Sequence, residues 1–430
     1  MRIPLATEGF RDRAGVAAAA LLAFGLAVGG TFHLDDYALL EGLRPPVRWL
    51  TWWSYQLNGP HPAALLAVQV LLHAANAVLV RGLLGRFLPA PEAQFAALMF
   101  AVHPVQAEAV NYIFARATLL SASFALLTLR DWCAGSRYRA LAWTLAALAA
   151  KEDALALPLV LLLIDRRWSA PLALQFLMAA AAGGWSLYAA ITTAGSGAAT
   201  GSGRLWADYL VAQGVAIWRY LRLTLFPWGL TLDPELRVEW GVVGWAALAA
   251  ALGCLRHRRE TWMAFAGILY LLPSSSIVPL ADLAADRRMY LPLAAFAGVV
   301  ARFPWTRATR AMLLAALALL SLRQCLVWRT EESLWRYVVA RSPNTLRPKL
   351  QLARAVTPEE CLALLSTAQI RWPEDDRIPA EMGRCALQAG DAAAALRYFG
   401  KALALRPGYS PYEANRDAAV RLLTGAPPRQ

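Results

Sequence analysis

Asp35 and Asp36 stand side by side directly after an apolar run from Ala14 to Phe32, within His33-Leu34-Asp35-Asp36-Tyr37. That run is about long enough to cross a bilayer, which puts two carboxylates at a membrane–water boundary. Such a pair suits acid/base chemistry: Asp35 can take the proton from a hydroxyl as it attacks an electrophile, with Asp36 beside it. A solvated loop also tolerates paired acids, so the rest of the chain must decide. More ionisable residues gather at the ends of apolar runs. His103-Pro104 interrupts one run, with Glu108 and Arg116 following; Lys151-Glu152 joins two runs almost without a loop; Arg287-Arg288-Met289-Tyr290 precedes another. Charges in or beside spans are costly, so each is either functional or paired. His103 could cap a helix, and Glu108–Arg116 or Lys151–Glu152 could be ion pairs that hold spans together. Gathered on one face, they would instead build a site. Arg116, Lys151, Arg287 and Arg288 would bring positive charge to it, and His103, Glu108, Glu152 and Tyr290 would complete the surroundings. Asp35, Asp36 and Glu108 could also ligate a metal, but they show no fixed metal-ligand spacing, and none is expected.

The elements that must position these residues are membrane spans. Of 430 residues, 58% are hydrophobic, against about 45–50% in a soluble domain. Apolar runs at 14–32, 62–80, 93–105, 117–129, 139–150, 154–165, 170–191, 241–255, 262–275, 290–302 and 311–327 predict about eleven crossings, several of them shorter than the roughly 20 residues a full crossing takes. The first run is long and lacks a clear small-residue cleavage site, so it reads as a retained span. The net charge of +13 could suggest nucleic acid, but its distribution does not. Basic residues alternate between short loops: Arg81 and Arg86; Arg130, Arg137 and Arg139; Arg166 and Arg167; Arg256 to Arg259; Arg302, Arg307 and Arg310. This is the positive-inside pattern, and it predicts a cytoplasmic N-terminus. Asp35–Pro60, His103–Arg116, Lys151–Asp153, Thr192–Glu239 and Ser274–Met289 then fall outside, as does the C-terminus. Trp49, Trp52, Trp53 and Tyr55 in the first outer loop, and Trp206 to Trp228 in the long one, suit a headgroup layer. The stretch Gly195–Gly203 reads as a gate or a slack connection.

Hydropathy falls after Val327, which divides the chain into a membrane part, 1–327, and a helical part, 328–430. Gly383, Gly390, Ala395, Phe399, Ala402 and Pro407 follow the order and spacing of a tetratricopeptide repeat. Pro373 and Pro407 lie 34 residues apart, about one repeat length; Pro343 closes a shorter, degenerate unit, with Glu332–Arg341 as its second helix. Small residues let paired helices approach, and Phe399 fills the groove between them. Such repeats bind a peptide or protein, or form a plain helical cap. Of Cys133, Cys254, Cys325, Cys361 and Cys385, none shows metal spacing. Cys361 and Cys385 read as packing thiols, with a disulfide as the alternative.

The ordered set of motifs resembles the transmembrane and tetratricopeptide-repeat-containing protein O-mannosyltransferases along nearly the whole chain. It comprises His33-Leu34-Asp35-Asp36; Arg48-Trp49-Leu50-Thr51 with Asn58 and His61-Pro62; and His103-Pro104 through Val110 with Arg116-Ala117. It continues with Lys151-Glu152, Pro273-Ser274-Ser275-Ser276, Asp286 through Pro292, and Trp328 through Trp335. The resemblance implies an all-α GT-C glycosyltransferase that takes a sugar from a polyprenyl-phosphate carrier at the outer membrane face, without a metal. It makes Asp35 the catalytic aspartate, with Asp36 beside it, and on it Arg287 or Arg288, with Lys151 or Arg116 as further candidates, would neutralise the leaving phosphate. The short repeat array and the alanine- and arginine-rich composition point to a bacterial member of the inner membrane. The implied partners are a lipid-linked sugar, an exported acceptor protein and membrane lipids. The sugar stays open. Transfer to a lipid or surface glycan, a non-enzymatic repeat scaffold and a transporter are the rival readings.

Overall fold

The computed structural model describes residues 9–40, 48–192, 206–255, 261–275, 280 and 282–424. It is all-helical, 79% helix with no strand among the described residues. The chain divides into two compact units, Met1–Arg329 and Thr330–Gln430. The basic run 256–259, the segment 195–203 and residue 276 of the serine motif lie outside the described residues.

Among the described residues, five helices of the first unit are long and apolar enough to cross a membrane: Phe10–Gly29, Pro62–Leu84, Ile113–Cys133, Ala170–Ala189 and Arg307–Val327. They coincide with five of the eleven expected runs. The remaining apolar runs form shorter helices such as Ala90–Val102, Thr261–Leu271, Leu157–Asp165 and Pro292–Val300. At about 1.5 Å per residue these fall short of a bilayer core. The stretch read as one long outer loop holds a helix, Trp206–Leu225, with Tyr209, Gln213, Arg219 and Tyr220 buried. It crosses the Gly241–Leu255 helix at backbone contact. A Cβ on Gly214 would lie 2.1 Å from the Gly241 carbonyl oxygen, and one on Gly244 2.5 Å from that of Gly214.

Breaks in the helices lie where the polar residues are. Pro104 has no N–H to continue the Ala90–Val102 helix, and His103 caps the turn by accepting from the Val105 N–H at 3.2 Å. A short helix, Ala107–Asn111, follows before the chain re-enters a long helix at Arg116. Carbonyls freed at this break would be costly if left unpaired in an apolar setting. Gln69, fully buried on the Pro62–Leu84 helix, donates to those of Val110 and Tyr112 at 2.9 and 3.0 Å. At the other helix ends, Arg81 pairs with Asp12 at 3.2 Å, Arg302 with Glu92 at 2.6 Å, and Trp132 donates to Asp165 at 3.0 Å.

The second unit is a run of antiparallel helices: Glu331–Arg341, Arg347–Ala355, Pro358–Arg371, Arg377–Gln388, Ala392–Leu405 and Ser410–Thr424. Thr330, Thr357 and Asp391 cap three of them through their side chains. Gly383 faces the Phe399 ring so closely that a Cβ would come within 2.7 Å. Cys361 and Cys385 are joined in a disulfide with Cα atoms 6.4 Å apart. This corrects the reading of them as separate packing thiols: antiparallel neighbours bring the first turn of one helix opposite the last turn of the next.

Candidate active site

Asp35 and Asp36 follow a tight turn in which Leu34 takes a left-handed backbone conformation, φ 47°. The two carboxylates take different partners and differ in exposure. Asp36 is fully buried and accepts from the N–H of His33 at 2.9 Å and of Phe114 at 2.7 Å. Burial pushes its carboxyl up to about 7, against the pull of those two donors. It therefore clamps the turn to the break before Arg116 and faces no solvent. Asp35 is exposed. Its carboxylate accepts from the Tyr112 hydroxyl at 2.8 Å, and that hydroxyl in turn accepts from the Asp35 N–H at 3.2 Å. His33 is buried, and burial holds its imidazole down to about 4. It is neutral, and its Nε2 donates to the Trp328 carbonyl at 2.8 Å, since a carbonyl only accepts.

Arg287 and Arg48 come within electrostatic reach of residues beside this turn, and Arg288 and Lys151 neighbour those two in turn. Arg287 binds Glu108 through its guanidinium, donates its backbone N–H to the same carboxylate at 2.9 Å, and reaches Asp282 at 3.3 Å. It lies within electrostatic reach of Tyr112, which Asp35 touches, and of Arg48. Arg48 makes a two-pronged pair with Glu152 at 2.5 and 3.1 Å. Lys151 binds Asp153 at 2.5 Å and donates to Thr118 at 2.9 Å; burial lowers its ammonium below the usual value. Arg288 donates to the carbonyls of Asp282 and Leu283 at 2.8 and 3.2 Å. The expected ion pairs are thus re-partnered: Glu108 takes Arg287 rather than Arg116, and Glu152 takes Arg48 rather than Lys151.

Three expected site residues serve the scaffold instead. Arg116 is fully buried and donates to the carbonyls of Ser54 and Leu65 and to Asn58, at 3.0, 2.7 and 3.0 Å. It ties the chain before the Pro62 helix to the one after the break, rather than offering its charge to an anion. His103 is fully buried, between the Val105 N–H and the Thr224 carbonyl at 3.2 Å. The Tyr290 hydroxyl lies inside the bundle against His73 at 2.9 Å and Asn76 at 3.2 Å.

Arg288 also borders a small cavity of mixed character, lined by Thr118, Ser121, Asp153, Tyr270 and Leu291 among others. Tyr270 and Leu291 also line a second, apolar cavity that continues between the long helices past Leu84 and Leu129 to Trp262. Tyr112, Arg48, Asp153 and Tyr270 went unassigned as site residues in the sequence. Only Arg48 and Asp153 carried a signal, as charges close to residues already singled out. Among the described residues no three His, Cys, Asp or Glu side chains come together as a metal-holding group. No family model, curated protein or solved structure matches the chain.

Proposed function

We propose that this chain is an integral-membrane glycosyltransferase of the GT-C type, moving a sugar from a polyprenyl-phosphate carrier to a hydroxyl of an exported protein. The observation that carries the reading is the exposed Asp35 carboxylate, steadied by Tyr112, with Arg287 in electrostatic reach of that tyrosine. Asp35 takes the acceptor's hydroxyl proton while the oxygen bonds to the anomeric carbon. The bond from that carbon to the phosphate oxygen breaks, and the phosphate leaves with the electron pair and inverted sugar geometry remains behind. Arg287 and Arg48 stabilise the charge that builds on the phosphate. Asp36 holds the turn and takes no part in proton transfer.

The proposed setting is a bacterial inner membrane, with the N-terminus in the cytoplasm and Asp35 on the opposite face. The second unit is then an extracytoplasmic tetratricopeptide-like array that recruits the acceptor. The Cys361–Cys385 disulfide supports that side, because such bonds persist in oxidising compartments. The test is transfer in proteoliposomes, supplied with polyprenyl-phosphate sugars and exported proteins and read by mass spectrometry. Asp35→Asn is expected to lower transfer by about 10²–10⁴-fold with assembly unchanged. Turnover at the wild-type rate would remove Asp35 from the mechanism. Label appearing in lipid or glycan but never in protein would move the acceptor class.

A further inference from the structure

The helices of the second unit form two rows. Arg347–Ala355 packs directly on Arg377–Gln388, whereas Pro358–Arg371 and Ala392–Leu405, which alternate with them, come less close to one another. Closer approach along one row curves the array and places Arg347–Ala355 and Arg377–Gln388 on its inner side. Their sequences repeat. Arg347, Gln351 and Arg354 stand at i, i+4 and i+7, one face of a helix, and 30 positions later Arg377, Glu381 and Arg384 occupy the same places. The core takes the opposite faces, through Leu352 and Ala353 on the first helix and Met382 and Ala386 on the second.

Glu381 sits where the two faces meet and is 8% exposed. It accepts from the Nε of Arg354 and of Arg384, both at 2.7 Å. Arg384 also donates to Gln388 and to the Ala353 carbonyl, each at 2.9 Å. Arg354 is less engaged. Its side chain is 52% exposed, and among the described residues its Nη1 has no hydrogen-bond partner. The buried acid thus holds a guanidinium in place with part of its donor fork unused. Beyond Glu381, the acid closest to these arginines is Asp375, which pairs with Arg377 at 2.7 Å. Four arginines against two carboxylates leave the face positive. No large apolar side chain of either helix is exposed, so the face lacks what a helix uses to enter a lipid surface.

We propose that this inner face binds an extended, acidic segment of a partner protein. The proposal deepens the reading of the second unit as a recruiter, and it rests on that reading for the partner's origin as an exported acceptor. Packed helices lie about 8–10 Å apart, and three residues of extended chain cover about 10 Å. Carboxylates three residues apart therefore meet Arg347 and Arg377 in turn, with Arg354 between the rows. Arg354 gives its unused N–H groups to a carboxylate.

The probe is a fluorescein-labelled peptide of four Glu-Gly-Ser units, added to the full-length protein in phosphatidylcholine nanodiscs and read by fluorescence polarisation. Peptides with Gln or Lys in place of Glu are the comparison arms. The Glu peptide is expected to bind more tightly than both, and less tightly as salt is raised. Arg354→Gln should weaken it about threefold, and Arg354→Gln with Arg347→Gln about tenfold. Arg354→Lys, which keeps the charge, should recover most of the single loss. Arg397→Gln, an exposed change on an outer helix, should leave affinity unchanged. Equal weakening by Arg397→Gln overturns the site, as does a loss in Arg354→Lys as large as in Arg354→Gln. Displacement of the peptide by phosphatidylglycerol vesicles more readily than by unlabelled Glu peptide would move the partner to a membrane surface. Sugar transfer to exported proteins that is unchanged in the double variant overturns the acceptor as the partner. Peptide binding through Arg354 without sugar transfer to any protein keeps the face and sinks the transferase reading, so the two failures are separable.

Discussion

Asp36 holds two backbone N–H groups in a place that water does not reach, and burial outweighs them, raising its carboxyl to about 7. An acid raised on folding keeps its proton in the native state while the unfolded chain loses it. Stability contributed by Asp36 is therefore fully present near pH 4 and falls as pH rises to about 7. Melting temperatures in detergent across that interval should decline, and Asp36→Asn should flatten the decline. An equal slope in both proteins would refute the assignment. Arg287 makes a different case. Glu108 is 4% exposed and depends on its guanidinium. Arg287→Ala should cost about 3 kcal/mol through the carboxylate left behind, and Arg287→Leu with Glu108→Leu should recover most of it. A chemical-denaturation cycle over the single and double variants measures this; additive losses would mean the pair contributes nothing. Sequence marks these residues because a charge beside an apolar run must have a reason to be there. It does not say which charge meets which: Glu152 finds Arg48, 104 positions away, and no local spacing carries that information. Tyr112 was silent for the same reason, since a tyrosine beside an apolar segment looks like any interfacial aromatic.

Hydropathy finds helices by composition, and it misjudged those whose polar residues face a partner. Trp206–Leu225 carries Asp208, Gln213, Arg219 and Arg222. These lower its average, yet Arg219 is buried on Asp286, whose carboxylate also takes the Thr231 N–H at 3.2 Å. Other apolar runs fold as helices shorter than about 18 residues, because composition does not reveal where a helix ends. Glycines report on contacts of the backbone itself. Gly214→Leu would drive a side chain into the Gly241 carbonyl, and an expected loss of about 1–3 kcal/mol or more follows from overpacking. Limited proteolysis should then cut within the Trp206–Leu255 pair before the rest of the unit. Gly383→Val should do the same in the second unit by displacing Phe399, with circular dichroism of the isolated melting transition as the measure. The repeat spacing made that second contact readable in advance; the first had no motif.

The whole chain separates into two compact units after Arg329, which assigns separate duties on the proposed reading. A protein truncated after Arg329 should hydrolyse donor and glycosylate short peptides at close to the full-length rate, while transfer to the native acceptor drops. Equal loss of all three would make the second unit a structural cap rather than a recruiter. Reduction of Cys361–Cys385 should lower the melting temperature of the second unit alone, because the bond closes a loop of 24 residues. The truncation point has to fall after Trp328, whose carbonyl receives the His33 hydrogen bond across 295 positions of chain. The Asp35 turn is thus fastened in part by a residue that leaves the ribosome 295 positions after His33. On the proposed reading, the early helices enter the bilayer with the Asp35 turn held by Tyr112 and Phe114 alone, and the His33 bond to Trp328 forms only once Arg307–Val327 has followed. A nascent chain stalled before that helix should leave the Asp35 turn more open to protease than one stalled just beyond it. On that reading a half-made copy would hold its centre loosely and use donor poorly.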